Sequence, residues 1–422
     1  MTSEKKGHYD VAVIGGGLTG LTAAVYLAKA GKSVILFEKE EQLGGLAQTT
    51  NVNGALFNLG PHAMYEGGAA LRILEQLGCF PAGGYASKGS MLALYQGVML
   101  EVPKALSNKE KLEWGHLMGG LNQINTLTLG ELSVEDWAKT NIQFERVRLL
   151  FYAMCRQWSY CDNMGVLSAG YVIEQGKLAA QGVRYIEGGW QTIVNALRKK
   201  AVQFGAHVVL NQQINKVLQN NERVHAVQLS SGVEVSVTNV IATVGLKETC
   251  CLIEGAEQTA LGRWREKSYP LYASCLDVAL KQLPYPERVF ALGLDVPLYY
   301  SKHSGPVQLS EDGAQVLHVM RYNDDQDERD AKKDEEELTR WLDLLEPGWK
   351  SLATAVRYSP NVLVANDAHT IYQQGKGIAP SPIVPEISGL FVAGDWVGKE
   401  GRLADAGMAS AKLAVEMILT NE

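Results

Sequence analysis

Residues 15 to 20 read Gly15-Gly16-Gly17-Leu18-Thr19-Gly20 and match G-x-G-x-x-G. An acid, Glu38, lies 18 positions beyond Gly20, close to the roughly 20 that separate this motif from a ribose-binding acid. In such a unit the first glycine permits a tight turn and the second lets backbone approach a pyrophosphate. The third lets the helix sit close on its strand. The N–H groups at the helix start then meet phosphate with the positive end of the helix dipole. Glu38 would accept hydrogen bonds from ribose hydroxyls and repel a 2′-phosphate. The pattern therefore predicts a dinucleotide that lacks that phosphate.

The elements needed to hold these residues are legible around them. Tyr9 to Ile14 (YDVAVI) is a short apolar, β-branched run that suits a strand buried on both faces. Leu18 to Ala30 has helical spacing with Gly31 as its stop, and Ser33 to Phe37 forms a second strand ending on Glu38. Further on, Lys39 to Thr49 contains the pair Gly44-Gly45 followed by Leu46, and Phe57 to His62 ends in Gly60-Pro61-His62. Tyr185 to Trp190 precedes an amphipathic helix over 191–204, and Ala206 to Asn211, Ile214 and Val217 follow it. Val224 to Ser230 and Val233 to Val237 alternate like a hairpin around Ser231-Gly232, and Val240 to Val244 reads as another buried strand containing Ala242. Near the C-terminus, Gly389 to Trp396 is an apolar strand ending on Gly394-Asp395, and Ala404 to Leu419 is a helix rich in small residues.

Together these segments resemble the FAD-dependent amine oxidase, phytoene desaturase and protoporphyrinogen oxidase superfamily, and in motif they stand closest to its phytoene desaturase-like branch. The resemblance covers about half the chain and implies FAD as cofactor. It assigns Gly15, Gly17, Leu18, Thr19 and Gly20 to the pyrophosphate, and Glu38 with Lys39 to the ribose side. Gly44, Gly45 and Leu46 form the second flavin motif; Leu46 replaces the arginine or lysine of many members, so the contact there is through backbone. Gly60, Pro61 and His62 resemble the turn near the flavin ring, Ile214 the residue whose backbone meets adenine, and Ala242 the strand returning to the cofactor. Asp395, after Gly394, is the counterpart of the ribityl-binding acid. Leu403 and Ala404 open the helix whose N-terminus faces the flavin pyrimidine, where reduced flavin carries negative charge. His62 is the one catalytic candidate; a backbone-bonded histidine and a proton-handling one both fit it.

The implied fold is α/β (α+β overall), with a Rossmann-like FAD-binding domain of the glutathione reductase type and a mixed-sheet and helical substrate domain. The first would be discontinuous, residues 1–80, 176–265 and 381–422, and the second 81–175 and 266–380. Helices are expected over Val134 to Thr140 and Phe144 to Trp158. Strands are expected over Leu271 to Leu280, Val289 to Leu294 and Gln315 to Tyr322, with helices on one side of their sheet. The charge run from Asn323 to Glu337 reads as a solvated turn leading into a helix over Glu335 to Leu345. Trp158, Tyr160, Tyr299 and Tyr300 read as core more readily than as pocket walls, and Cys250-Cys251 as a strand end. The segment Ile371 to Gly377 lacks the aromatic motif of amine oxidases, although Tyr372 could supply one wall. Their catalytic lysine has no clear counterpart, with Lys281 and Lys302 the positions in plausible strands.

Composition bounds the rest. The chain has 422 residues, 46% hydrophobic and 20% charged, which suits two to three globular domains. A net charge of −7 argues against a nucleic-acid partner. Six scattered cysteines and eight histidines show no metal-ligand spacing and point to a reducing compartment. With no signal segment and no long apolar span, a cytoplasmic protein is expected. Lys104 to Ile124, mildly amphipathic, fits a peripheral membrane contact and a core-facing helix equally. The expected activity is hydride removal from a largely apolar small molecule. No second G-x-G-x-x-G is present, so oxygen, a quinone or another carrier would take the electrons. An amine oxidase acting on a C–N bond, and a flavoprotein with structural or regulatory FAD, remain as alternatives.

Overall fold

A computed structural model of the protein describes residues 7–86, 91–323, 330–374 and 379–420. Its strand Tyr9–Ile14 lies at the centre of a seven-stranded sheet, with Val11, Ala12 and Val13 fully buried. It pairs in parallel with Val34–Phe37 on one side and with Glu234–Ala242 on the other. His207–Val209 and Leu390–Val392 extend the parallel part outward. Parallel strands need crossovers, and those crossover helices cover the sheet, so its strands are continuous apolar runs. Helices Leu18–Lys29, Gln191–Gln203 and Ala404–Thr420 share one apolar cluster on one face. The opposite face is closed by the antiparallel strands Ile214–Asn220 and Arg223–Leu229 and by Leu246 and Leu261 of two short helices.

Two expectations are corrected here. The second hairpin arm and the returning strand are one strand, Glu234–Ala242. Its first half pairs antiparallel with Arg223–Leu229, and its second half pairs parallel with Tyr9–Ile14, so the chain has no reason to break between them. Cys250 and Cys251 lie in the helix Leu246–Leu252 instead of a strand end, one buried and one exposed. Helical i, i+1 side chains diverge, so the pair does not share an environment.

The second seven-stranded sheet runs in the order Ala353–Ala365, Leu271–Leu280, Gln315–Asn323, Leu298–Lys302, Phe290–Gly293, Met91–Tyr95, Val98–Val102. Helices cover both of its faces, not one. Leu276, Val278 and Leu280 pack with Leu338, Trp341 and Leu342 of helix Ala331–Leu345. Ala273 and Cys275, pointing the other way, pack with Leu150 and Ala153 of helix Glu145–Ser159. The strands carry apolar residues at both odd and even positions, so neither face is suited to water. Helix Ala331–Leu345 also begins four residues before the expected Glu335, because Asp330 caps it by accepting from the backbone N–H groups of Lys332 and Lys333. Residues 324–329 of the charge run lie outside the described residues. Helix Val134–Asn141 forms as expected. The stretch after Lys104 forms helix Asn108–Gly120, started by a Ser107–Glu110 capping box; none of its residues is fully buried, and Leu112 is 61% exposed.

One buried ion pair joins this sheet to the loop region of the first. Asp277, 0% exposed, contacts His318 Nδ1 at 2.6 Å and accepts from Arg357 Nε at 3.0 Å. Arg357 also donates to the backbone carbonyl of Asn58. Asn58 in turn accepts through its side chain from Thr49 and from the N–H of Trp190. Removing one member of such a pair strands a buried charge, at a cost of about 3–5 kcal/mol, whereas removing both is far cheaper. Asp277→Ala should therefore lower stability by roughly that amount in denaturant melts. The double replacement Asp277→Leu with Arg357→Met should recover most of it; an equal loss in the double variant would show that the pair is not what holds the region.

Candidate functional site

A cavity of about 1320 Å³ runs from the fingerprint loop to the second sheet. Pockets for one small ligand usually hold about 300–1,000 Å³, so this one has room for more than one molecule. Its walls come from both sheets, from the Gly44–Gln48 loop and from the start of helix Ala404–Thr420.

At one end the fingerprint loop is built as its residue types require. Gly15 has φ +109°, a conformation that side chains resist. A Cβ on Gly20 would stand 1.9 Å from the Gly15 carbonyl, so only glycine lets the helix approach. A Cβ on Gly17 would meet nothing closer than the Gly44 carbonyl at 3.7 Å, leaving open room where a ligand would approach the backbone. Helix Leu18–Lys29 has no side-chain N-cap, so its first N–H groups are free to face the cavity. Glu38 accepts from the Gly16 N–H at 2.7 Å through one oxygen and from the Glu40 N–H at 3.0 Å through the other. It thus ties the loop as well as lining the cavity, and each oxygen retains a lone pair. The Gly44 N–H donates to the Gly16 carbonyl at 2.9 Å, which seats the second glycine motif against the first. Lys39, Gly45, Leu46 and Ile214 line the same end.

Two further predicted elements reach this cavity. Asp395 accepts from the N–H of Asn366 at 2.9 Å and from its side-chain amide at 2.8 Å. Burial pushes the Asp395 carboxyl above its ordinary range, and the Asn366 bonds oppose the rise. Leu403 has φ +50° and Ala404 begins the last helix, so a second helix N-terminus meets the cavity wall. Two helix N-termini and a backbone-lined opening suit a ligand with a central pyrophosphate and a second electron-rich end. The residues present fit FAD. Of the sequence-predicted residues, Gly20, Gly60 and Ala242 do not line the cavity. Gly20 and Gly60 (φ +76°) shape the turns behind it, and Ala242 is fully buried, with the next residue, Thr243, in the wall instead.

His62 is held on both sides. Its Nδ1 lies 3.1 Å from the Gly60 carbonyl and its Nε2 3.0 Å from the Leu46 carbonyl. Burial, the largest effect, lowers its pKa, and the bonds to the Gly60 and Leu46 carbonyls oppose the fall. The ring fastens the Gly60-Pro61-His62 turn to the Gly44–Leu46 loop, and Pro61 lines the cavity beside it.

The far end is aromatic. Trp158, Tyr160 and Tyr299 line it, contrary to the expectation that they were plain core, together with Tyr65, Tyr185 and Tyr322, which the sequence did not single out. Tyr300 points to the opposite face of its strand and is core. Tyr372 is 71% exposed and lines no part of the cavity, so it supplies no wall; residues 375–377 of that segment lie outside the described residues. Lys302 lines the cavity while its Nζ donates to the Pro286 carbonyl at 2.7 Å; Lys281 does not reach it. Two further wall residues escaped sequence reading: His303, 1% exposed and stacked on Tyr185, and Arg402, 3% exposed. Nothing in their local sequence marks either one. Among the described residues no cluster of metal-ligating side chains occurs, and no helix is long and apolar enough to cross a membrane.

Comparison with known proteins follows the same line. A carotenoid 3,4-desaturase of Haloarcula japonica is 58% identical over 52 residues, which is 12% of this chain and 10% of that protein. A 4,4'-diaponeurosporene oxygenase of Staphylococcus aureus is 24% identical over 278 residues, 56% of this chain and 55% of that protein. The chain thus matches about half the length, or less, of these curated relatives. Among solved structures, a redesigned putrescine oxidase superposes with a TM-score of 0.79 at 16% identity, covering 98% of this chain and 99% of the other. An oxidoreductase from Methanosarcina mazei gives 0.77 at 19% identity, covering 97% and 100%. These likenesses show the fold. The profile of the DAO family, FAD dependent oxidoreductase, matches residues 10–417. The chain belongs to that FAD-dependent oxidoreductase family.

Proposed function

We propose that the protein is an oxidoreductase that holds FAD along the cavity and takes hydride from a carbon of a largely apolar small molecule. The observation that carries this reading is the cavity itself: the Gly17 opening with one helix N-terminus at one end, a second helix N-terminus along the wall, and Trp158 with tyrosines at the other end. Bound FAD would supply the hydride acceptor. The chain's own part is binding, orientation and exclusion of water. Gly15 to Gly20 would receive the pyrophosphate, Glu38 the ribose, Asp395 the ribityl chain, and the Leu403–Ala404 turn the pyrimidine edge. The His62 contacts would fix the turn beside the ring.

The same reading divides the chain into a cofactor domain of residues 1–80, 176–265 and 381–422 and a substrate domain of 81–175 and 266–380. The sources of the two sheets support that division. The names of the two curated relatives support a polyene-like or otherwise apolar substrate over an amine. So do the exposed Tyr372 and a Lys302 bonded to the Pro286 carbonyl. Oxygen, a quinone or another carrier would take the electrons. A cytoplasmic location, with a peripheral membrane contact through the Asn108–Gly120 helix, is consistent with the partly exposed Leu112.

The purified protein should be yellow and release FAD on denaturation; a colourless protein that cannot be reconstituted with FAD would end the reading. Glu38→Ala should weaken FAD binding roughly tenfold to a hundredfold, since charged hydrogen bonds contribute about 1.5–3 kcal/mol. Retention through dialysis equal to the parent's would remove Glu38 from the site. Anaerobic mixing with candidate substrates should bleach the flavin band with polyenes or other apolar molecules. Bleaching by amines alone would favour oxidation of a C–N bond.

A further inference from the structure

Arg402 is a buried cation that makes no ion pair among the described residues. It is 3% exposed, and Nε, Nη1 and Nη2 all lack a hydrogen-bond partner among the described residues. The three nitrogens are out of solvent contact, so no water layer compensates them. The acids around it are already engaged. Asp405 accepts from the Ala70 N–H at 2.7 Å, Asp395 is held by Asn366, and Asp367 accepts from Tyr269, Ala368 and Gln373. The neighbouring phenols give no negative charge either, because burial raises the pKa of Tyr65, Tyr160 and Tyr171. The Tyr171 ring centre lies 5.9 Å from the guanidinium carbon, and its hydroxyl, the one side-chain oxygen that interacts with Arg402, carries no charge.

An isolated buried charge is expensive, and arginine has no way to escape by losing its proton. Asp395 and Asp367 feel its charge but make no ion pair with it, so an anion bonded to the guanidinium would come through the cavity that Arg402 lines. The pyrophosphate of a dinucleotide already has its place at the fingerprint loop. Arg402 directly precedes the turn assigned to the flavin pyrimidine and has Tyr65 and Tyr160 of the aromatic end near it, so it stands where cofactor and proposed substrate would meet. A guanidinium presents a planar fork that matches a carboxylate.

We propose that Arg402 receives a carboxylate of the substrate, so that the molecule oxidised is an amphipathic acid with an apolar body lying along the aromatic wall. This rests on the reading of the cavity as the place where cofactor and substrate meet. The nitrogens are enclosed, so a neighbouring side chain has to move for the carboxylate to reach them.

The test is calorimetric titration of the holoprotein with decanoate and with decanamide, which differ only in the charge of the head group. The parent should bind decanoate at least about tenfold more tightly, as expected for a charged hydrogen-bonded pair. Arg402→Met should abolish that preference while keeping its FAD content, with a melting temperature no lower than the parent's because the isolated charge is gone. Arg402→Lys, which keeps the charge and loses the fork, should retain part of it and reports on the same point if the methionine variant does not fold. Equal affinity of the parent for the two ligands would overturn the proposal. So would an unchanged preference in both variants, or a loss of FAD from Arg402→Met, which would assign the guanidinium to the cofactor. Heat of binding is read without the flavin spectrum, so a protein that proves not to hold FAD would end the flavin reading separately from this one.

Discussion

The contact between Asp277 and Arg357 is the constraint on which the geometry of the cavity depends. It is the point where the second sheet grips the segment that carries Asn58, and with it the Gly60-Pro61-His62 turn. A carboxylate with no exposure must be paired, and Arg357 and His318 are the groups that pair it. Arg357 satisfies Asp277 and backbone carbonyls of the turn segment at once, so neither sheet can slide without uncovering a charge. Low dielectric makes that penalty steep, and it makes the network a positioning device more than a source of stability. From there the order passes outward. The turn holds His62, His62 holds the Leu46 carbonyl, and the Gly44–Leu46 loop leans on the fingerprint through the Gly16 carbonyl.

The electrostatics of the cavity follow from that arrangement. Helix Leu18–Lys29 and helix Ala404–Thr420 both begin at its wall, each contributing the positive end of a dipole without a side-chain cap on the first. Arg402 adds a full charge beside the second. Asp395 and Glu38, two of the acids of the wall, are engaged by backbone N–H groups of neighbouring loops. The protein thus sets two positive helix ends and one buried cation on the cavity wall inside an overall acidic chain of net charge −7. A group bearing negative charge, bound or developing during reaction, is favoured there over a neutral one.

The sequence by itself determined the parts whose causes are local. Gly15, Gly17 and Gly20 are legible because each answers a short-range demand, a positive φ, an open approach or a close helix contact, and the folded protein shows those same demands. The apolar runs within Tyr9 to Ile14 and Leu390 to Val392 are legible because the buried part of a parallel strand covered on both faces reads as a near-continuous apolar run. Glu38 is legible because its distance from Gly20 is fixed by one helix and one strand. Only the tertiary structure could decide the rest. Tyr299 and Tyr300 are adjacent and chemically alike, and which of them meets the cavity depended on the sheet's facing. Tyr372 was placed outside by a segment whose local pattern left that open. Cys250 and Cys251 fell in a helix because the chain turned after Val244, a boundary set by packing. Arg402 reads in sequence as one more surface cation. Its isolation comes from how Asp395, Asp405 and Asp367 spend their oxygens on partners far along the chain, and no local pattern of residues encodes that accounting.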